Sequence, residues 1–254
     1  FRALEVFLVV ADCGGFASQL NQVVVCDFRS QDVAMGGQGA PLVPVGDKLL
    51  FSEYDACLNL GGFANGSYSQ NGIMIAYDLC AVNTVLNFLA EKKGVPFDKD
   101  GVLAKNGTLI PDFFNELEGL SFYKKTHPKS LGIEWVYATL FPLLEKHKTN
   151  SIEDLIHTYT FHISKVIGIS FSAGQKVLVT GGGAKNTYLM SLIREHSDAL
   201  MVVPGEMVVD FKEALIFGFL GILRLRNQVN CLASVTGVSK NHSSGSIFYP
   251  INDR

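Results

Sequence analysis

Apolar residues gather in short runs of strand length at residues 23–26, 56–60, 73–77, 177–180 and 201–203. Between and after these runs the spacing becomes helical. Residues 84–93 carry Val85, Leu86, Phe88 and Leu89 and stop before Gly94, a natural C-terminal cap. Residues 133–147 and 152–171 predict longer helices. Ser151 followed by Asp154 has the spacing of a capping box for the second. Residues 186–196 predict a helix after a glycine turn. Residues 211–226 are apolar almost all round, through Leu215, Ile216, Phe217, Phe219, Leu220, Ile222 and Leu223, which predicts a buried helix. Residues 4–11 are apolar but too short to span a bilayer, and they lack the basic start and cleavage pattern of a signal peptide, so they read as a strand. Strands come first, helices fill the middle, and a strand–glycine turn–helix unit follows. The order predicts an α/β protein with a mixed sheet. There is no repeat and no long linker; the serine-rich residues 239–246 read as a surface loop.

Composition narrows this picture. A chain of 254 residues with 48% hydrophobic and 18% charged residues can bury a sizeable core, in one large domain or two small ones. A net charge of −3 argues against nonspecific nucleic-acid binding, which needs a basic face. Cys13, Cys26, Cys57, Cys80 and Cys231 are odd in number and include no Cys-x-x-Cys pair. They read as reduced thiols of a cytoplasmic protein, not as a disulfide framework. His157 and His162 are five apart and would not share a helix face as zinc ligands do, and no dedicated metal site is visible.

The candidate chemistry sits in five places. Residues 27–44 pack two acids, an arginine, three glycines and two prolines into what reads as one loop, either a tight connection or a binding segment for something small and oxygen-rich. Gly61 and Gly62 follow an apolar strand, as a plain β-turn or as a nest of N–H groups facing an anion. Gly181, Gly182 and Gly183 lead from another strand to a helix starting near Asn186, whose free N–H groups and dipole favour an anion. That passage has neither the Gly-Lys-Ser/Thr of a P-loop nor the dinucleotide fingerprint. Asp78 stands between a strand and a helix, placed to act as a base or to satisfy turn N–H groups. Asp210 and Glu213 have capping-box spacing for the helix that follows. Asp98-Lys99-Asp100-Gly101 lacks the later ligands of a calcium loop and reads as a turn.

The segments Asp27-Phe28-Arg29, Asp32-Val33-Ala34 and Gly36-Gly37-Gln38-Gly39-Ala40-Pro41 resemble those of the anhydro-N-acetylmuramic acid kinases. The resemblance extends from about residue 23 to 249 and takes in the segments around Gly61, Asp78, Lys129, Gly181 and Glu213. It implies an actin-like ATPase fold of ribonuclease-H-like lobes, with residues 1–55 as the tail of a first lobe and 56–254 as the second. It implies ATP and Mg2+ as cofactors, an amino sugar as substrate, and a cytoplasmic protein that forms a homodimer and binds neither nucleic acid nor membrane. Asp78 is then the base that activates water. Gly61, Gly62, Gly181, Gly182, Gly183 and Asn186 hold the nucleotide, and Arg29, Asp32, Gln38, Lys129 and Glu213 the sugar. The family's first phosphate-binding loop has no counterpart here. The alternative expectation is therefore a fragment that folds in its second lobe but does not turn over alone. A different actin-like sugar kinase is disfavoured by residues 27–44.

Overall fold

The computed structural model describes residues 12–251, so the strand expected over residues 4–11 lies outside the described residues. The chain divides into two units. One falls within Phe1–Phe51, Gly72–Met74 and Glu213–Arg254, the other within Ser52–Asn71 and Ile75–Lys212. A single cut near residue 55 does not describe this division, because the C-terminal residues return to the N-terminal unit. There β1 (Val24–Cys26) pairs antiparallel with β7 (Ser246–Phe248).

The larger unit is built on a five-stranded mixed sheet. Its strands are β2 (Ala56–Leu60), β3 (Phe63–Gln70), β4 (Ile73–Ala81), β5 (Lys176–Thr180) and β6 (Leu200–Val202), in the spatial order β4-β3-β2-β5-β6. β2, β5 and β6 run parallel, whereas β3 runs antiparallel to β2. This is the expected α/β class. β2 and β5 are central and apolar on both faces: Leu58, Leu60, Val177 and Val179 are buried on one, Cys57 and Leu178 on the other. Helices Asn83–Glu91, Pro111–Gly119, Ile152–Gly168 and Thr187–Glu195 add Leu89, Leu117, Ile156, Ile163, Ile167 and Ile193 to the same core. The largest fully buried side chain, Tyr159, hides its ring there and donates its hydroxyl proton to the Ala81 carbonyl at 2.9 Å. A buried hydroxyl without such a partner would cost about 1–3 kcal/mol.

Helix ends follow local chemistry. The Ser151 hydroxyl accepts from the Asp154 N–H at 3.0 Å and opens Ile152–Gly168 as the capping box required. The helix expected over 133–147 is broken. Ile133–Trp135 is α, Val136–Leu140 is a π turn, and Phe141–Lys146 is α again. Pro142 offers no N–H to the preceding turn, so the regular ladder cannot pass through it. Asp98 caps the N–H groups of Leu103 and Ala104 at 2.8 and 2.9 Å, which makes 98–101 a turn.

In the smaller unit, residues 27–44 are not one loop. They contain the helix Ser30–Ala34, and Pro44 begins the helix Pro44–Leu50. A further helix, Glu206–Leu225, runs from the larger unit into this one. It is longer than the apolar run, and its sides differ. Ile216, Leu220 and Leu223 are buried, while Phe211, Leu215, Ile222 and Leu225 are exposed, so it is not buried all round. Asn230 fastens the C-terminal segment. Its amide donates to the carbonyls of Leu220 and Ser244, and its oxygen accepts from the Ser244 N–H at 2.7 Å. Cys13 and Cys26 form a disulfide, which corrects the reading of all five cysteines as thiols. Strand pairing of β1 and helix Cys13–Leu20 bring together two residues that no sequence spacing marks. Cys57, Cys80 and Cys231 are free and buried. No described helix is long and apolar enough to cross a membrane.

Candidate active site

The two glycine turns lie side by side in the larger unit. β2 and β5 are parallel neighbours with Asn59 opposite Thr180, so both strands end at nearly the same level. Gly61 and Gly181 each begin the exit from their strand. Gly181 has φ +85° and ψ 165°, a region open essentially only to glycine. A Cβ there would sit 2.6 Å from Asn59 Oδ1 and 2.8 Å from the Leu60 carbonyl. A Cβ on Gly183 would meet the Leu60 side chain at 2.8 Å. The second turn is thus folded against the end of β2, and its glycines are required by packing as well as by dihedral angle. Asn83 stands between the turns; its amide donates to the Leu60 carbonyl at 3.2 Å.

The N–H inventory is smaller than a bare glycine motif implies. Gly61 N–H is taken by the Phe63 carbonyl, and Gly181 N–H by Val209. The carbonyls of Gly61 and Gly62 receive the N–H groups of Asn83 and of Val82 and Thr84, and the Thr84 hydroxyl adds a bond to Gly62. The turn therefore caps the helix Asn83–Glu91. Gly62 and Gly182 are exposed and keep their N–H groups free of the described residues. After the second turn the chain makes a 3-10 turn, Gly182–Lys185, before the helix Thr187–Glu195 begins. That helix end is already capped: Asn186 Oδ1 accepts from the Leu189 N–H at 3.0 Å. Asn186 is a helix cap here, and only its amide nitrogen side is left for a ligand. A groove of about 520 Å³ beside Gly62 is lined by Asn83, Thr84, Asn87, Phe88, Glu91 and Tyr137, among others.

Asp78 lies inside β4, not after it. Its Oδ2 accepts from the Leu131 N–H at 2.7 Å and the Ser130 hydroxyl at 3.2 Å, while its own N–H donates to the Lys129 carbonyl at 3.0 Å. Residues 129–131 thus hold the carboxylate by one oxygen, and Oδ1 has no protein partner among the described residues. Val82, whose N–H meets Gly62, is four residues further along the same chain. That separation is roughly 13 Å of extended strand. Lys129 is half-buried, with Nζ 4.7 Å from the centre of the Phe122 ring, and burial holds its pKa below the usual lysine value.

Four expected sugar contacts stand differently from their motif. Asp32 is fully buried. It accepts from the Gly39 N–H at 2.7 Å, the Thr236 hydroxyl at 2.8 Å and the Cys231 thiol at 3.0 Å. Burial opposes its ionisation, but these bonds and nearby His242 together hold its pKa below the usual carboxylate value. Asp32 orders the loop and does not reach a ligand in solvent. Arg29 is exposed and spends one N–H on the Gly39 carbonyl at 2.6 Å. Gln38 is exposed and anchored by its backbone to Thr236. Glu213 is exposed on a middle turn of Glu206–Leu225, so neither it nor Asp210 caps that helix. Asp210 instead pairs with Lys185 at 2.7 Å, linking the helix to the second glycine turn. Arg29, Asp32, Gln38 and Glu213 belong to one unit; Asp78, Lys129 and both glycine turns belong to the other.

A family model for anhydro-N-acetylmuramic acid kinase matches residues 3–250. The chain belongs to the anhydro-N-acetylmuramic acid kinase family. Curated relatives agree. One from Aliivibrio fischeri is 32% identical over 96% of this chain and 70% of its own length. One from Rhodococcus erythropolis is 34% identical over 91% of this chain and 63% of its own. The chain thus spans roughly two thirds of the length of these relatives. Among solved structures, an activator of 2-hydroxyisocaproyl-CoA dehydratase from Clostridium difficile with bound ADPNP has a TM-score of 0.43 and 16% identity, covering 68% of this chain and 61% of that one. Membership makes this chain a phosphotransferase by family, of the kind that acts on a small amino sugar.

Proposed function

We propose that the chain carries the nucleotide and catalytic segments of an ATP-dependent kinase acting on 1,6-anhydro-N-acetylmuramic acid in cytoplasmic cell-wall recycling. The observation that carries the reading is the pair of glycine turns at adjacent strand ends, with Asp78 further back along β4 on the same sheet. Gly62 and Gly182 offer N–H groups to phosphate and nucleoside. Magnesium enters with ATP as part of the substrate, neutralising phosphate charge. In the reaction, water attacks the anomeric carbon, the 1,6-ether opens, and O6 accepts the γ-phosphoryl group. The products are N-acetylmuramic acid 6-phosphate and ADP. Asp78 Oδ1 takes the proton from the water. The Leu131 and Ser130 bonds to Oδ2 keep the other oxygen presented. Arg29, Gln38, Lys129 and Glu213 are assigned to the sugar by resemblance to the family.

The test is sugar-dependent ADP release, measured by a coupled assay, with Asp78→Asn beside wild type. The amide keeps an acceptor for the Leu131 N–H but cannot take a proton. Removing a general base lowers turnover by about 10²–10⁴, and ATP binding should persist. Near-normal turnover in Asp78→Asn would move the base elsewhere.

A further inference from the structure

The strongest unassigned feature is a closed cluster in the smaller unit where Asp32, Cys231 and His242 converge. All three are buried, and Asp32 Oδ1, Cys231 Sγ and His242 Nε2 lie within 4.8 Å of one another. Asp32 Oδ1 is 3.0 Å from the thiol and 3.7 Å from the imidazole nitrogen. His242 is only 8% exposed, and its Nε2 has no hydrogen-bond partner. Its other nitrogen, Nδ1, faces the Lys240 carbonyl at 3.3 Å. A proton on Nδ1 serves that carbonyl and leaves a lone pair on Nε2. In that tautomer the lone pair faces a carboxylate, an arrangement that a cation bound between them satisfies.

We propose that Asp32, Cys231 and His242 form a structural site for a zinc-class divalent ion. The donor set of one thiolate, one imidazole and one carboxylate selects zinc over magnesium or calcium, which take oxygen ligands. Two negative ligands and one neutral one balance a doubly charged ion. Zinc bonds of about 2.0–2.3 Å in a tetrahedral site set ligand separations near 3.3–3.6 Å. The two Asp32 separations, 3.0 and 3.7 Å, lie near this range, and the thiol and imidazole, within 4.8 Å of each other, would close in on the ion. The fourth position falls to water or to the Thr236 hydroxyl, already 2.8 Å from Asp32 and 3.8 Å from Cys231. The imidazole tautomer fixed by a backbone carbonyl is the usual arrangement around a zinc-bound histidine. Zinc takes the thiolate, so binding expels one proton and weakens as pH falls. Such an ion would pin the Asp32 loop to the segment around residues 231–242. No spacing rule reveals it, because Cys231 and His242 are eleven apart and Asp32 is about two hundred residues away.

The experiment uses the full chain, stripped with chelator and titrated with Co2+ and then Zn2+. One cobalt per chain should bind with a thiolate-to-cobalt charge-transfer band, and zinc should displace it and raise the melting temperature. Cys231→Ser should abolish the band, and His242→Gln should weaken zinc binding by at least about tenfold. Cys57→Ser and Cys80→Ser should keep the band, which excludes the other free cysteines as its source. If Cys231→Ser fails to fold, loss of the zinc-dependent melting shift in His242→Gln carries the test. No charge-transfer band in wild type, a band that survives in Cys231→Ser, or substoichiometric metal would overturn the proposal and leave a hydrogen-bonded cluster.

Discussion

Replacing Gly181 with alanine puts the glycine-turn argument at risk more sharply than any loss of activity. The new methyl would adopt φ +85° and ψ 165° and would sit 2.6 Å from Asn59 Oδ1 and 2.8 Å from the Leu60 backbone. The dihedral strain costs about 1–3 kcal/mol. The clash is with backbone at the end of a central strand, which cannot swing aside as a surface side chain would. Overpacking of that kind adds about 1–3 kcal/mol. The sum, about 2–6 kcal/mol, is a large share of ordinary domain stability. For a unit of this size it should lower the melting temperature by roughly 4–24 °C. Gly182→Ala is the matched control. Gly182 has no positive φ, and its nearest neighbour, Asn83 Nδ2, is 3.8 Å from the added carbon. That variant should melt within a degree or two of wild type, yet bind ATP more weakly, since the methyl rises where nucleoside would lie against backbone. Calorimetry and a nucleotide titration on both variants separate the two effects. A Gly181→Ala protein that melts like wild type would refute the packing of the turn against β2. A Gly182→Ala protein with unchanged ATP affinity would remove this turn from the nucleotide site.

Other outcomes follow from particular groups. Burial holds the His162 pKa down to about 4, against 6.5 for a free histidine, despite its bond to Glu118. The unfolded chain therefore binds a proton below 6.5 that the fold refuses until about 4. Stability should fall across that window by an amount on the order of 3 kcal/mol, and His162→Gln should flatten the decline in a series of melts. Ser151→Ala removes the cap on Ile152–Gly168 and should cost about 1 kcal/mol in urea unfolding. Asp210→Ala breaks only a surface pair with Lys185 and should change stability by less than about 1 kcal/mol. A larger loss would show that the pair with Lys185 does more than an ordinary surface ion pair.

The sequence was most legible where physics was local. Apolar runs at β2 and β5 and the Ser151 cap could be read directly, and the glycines marked both strand exits. β3 is not legible because residues 63–70 are mostly polar and show no alternation; the strand exists because β2 pairs with it from Ala64 to Tyr68. The apolar run fades at Tyr77, which sets Asp78 after the strand, whereas β4 continues to Ala81. The burial of Asp32 depends on Thr236 and Cys231, about two hundred residues away, and no local pattern encodes such a partner. The motif around Asp32 marks a built loop, but not which of its polar groups face outward.

Two adjacent glycines ordinarily mean a soft place in a chain. Around Gly62 the reverse holds. In a trans peptide the carbonyl and the N–H point in opposite directions. Asn83 N–H grips the Gly61 carbonyl at 3.3 Å, and that grip aims the Gly62 N–H the other way. The next carbonyl, on Gly62, is held by three donors at 2.8–3.2 Å. Turning either peptide plane over would strip the first turn of a helix of its acceptors. The dipole at this corner is accordingly set during folding, and an arriving phosphate has no chain freedom left to quench. Amide exchange at Asn83 and Thr84 should be as slow in the empty protein as in the nucleotide complex.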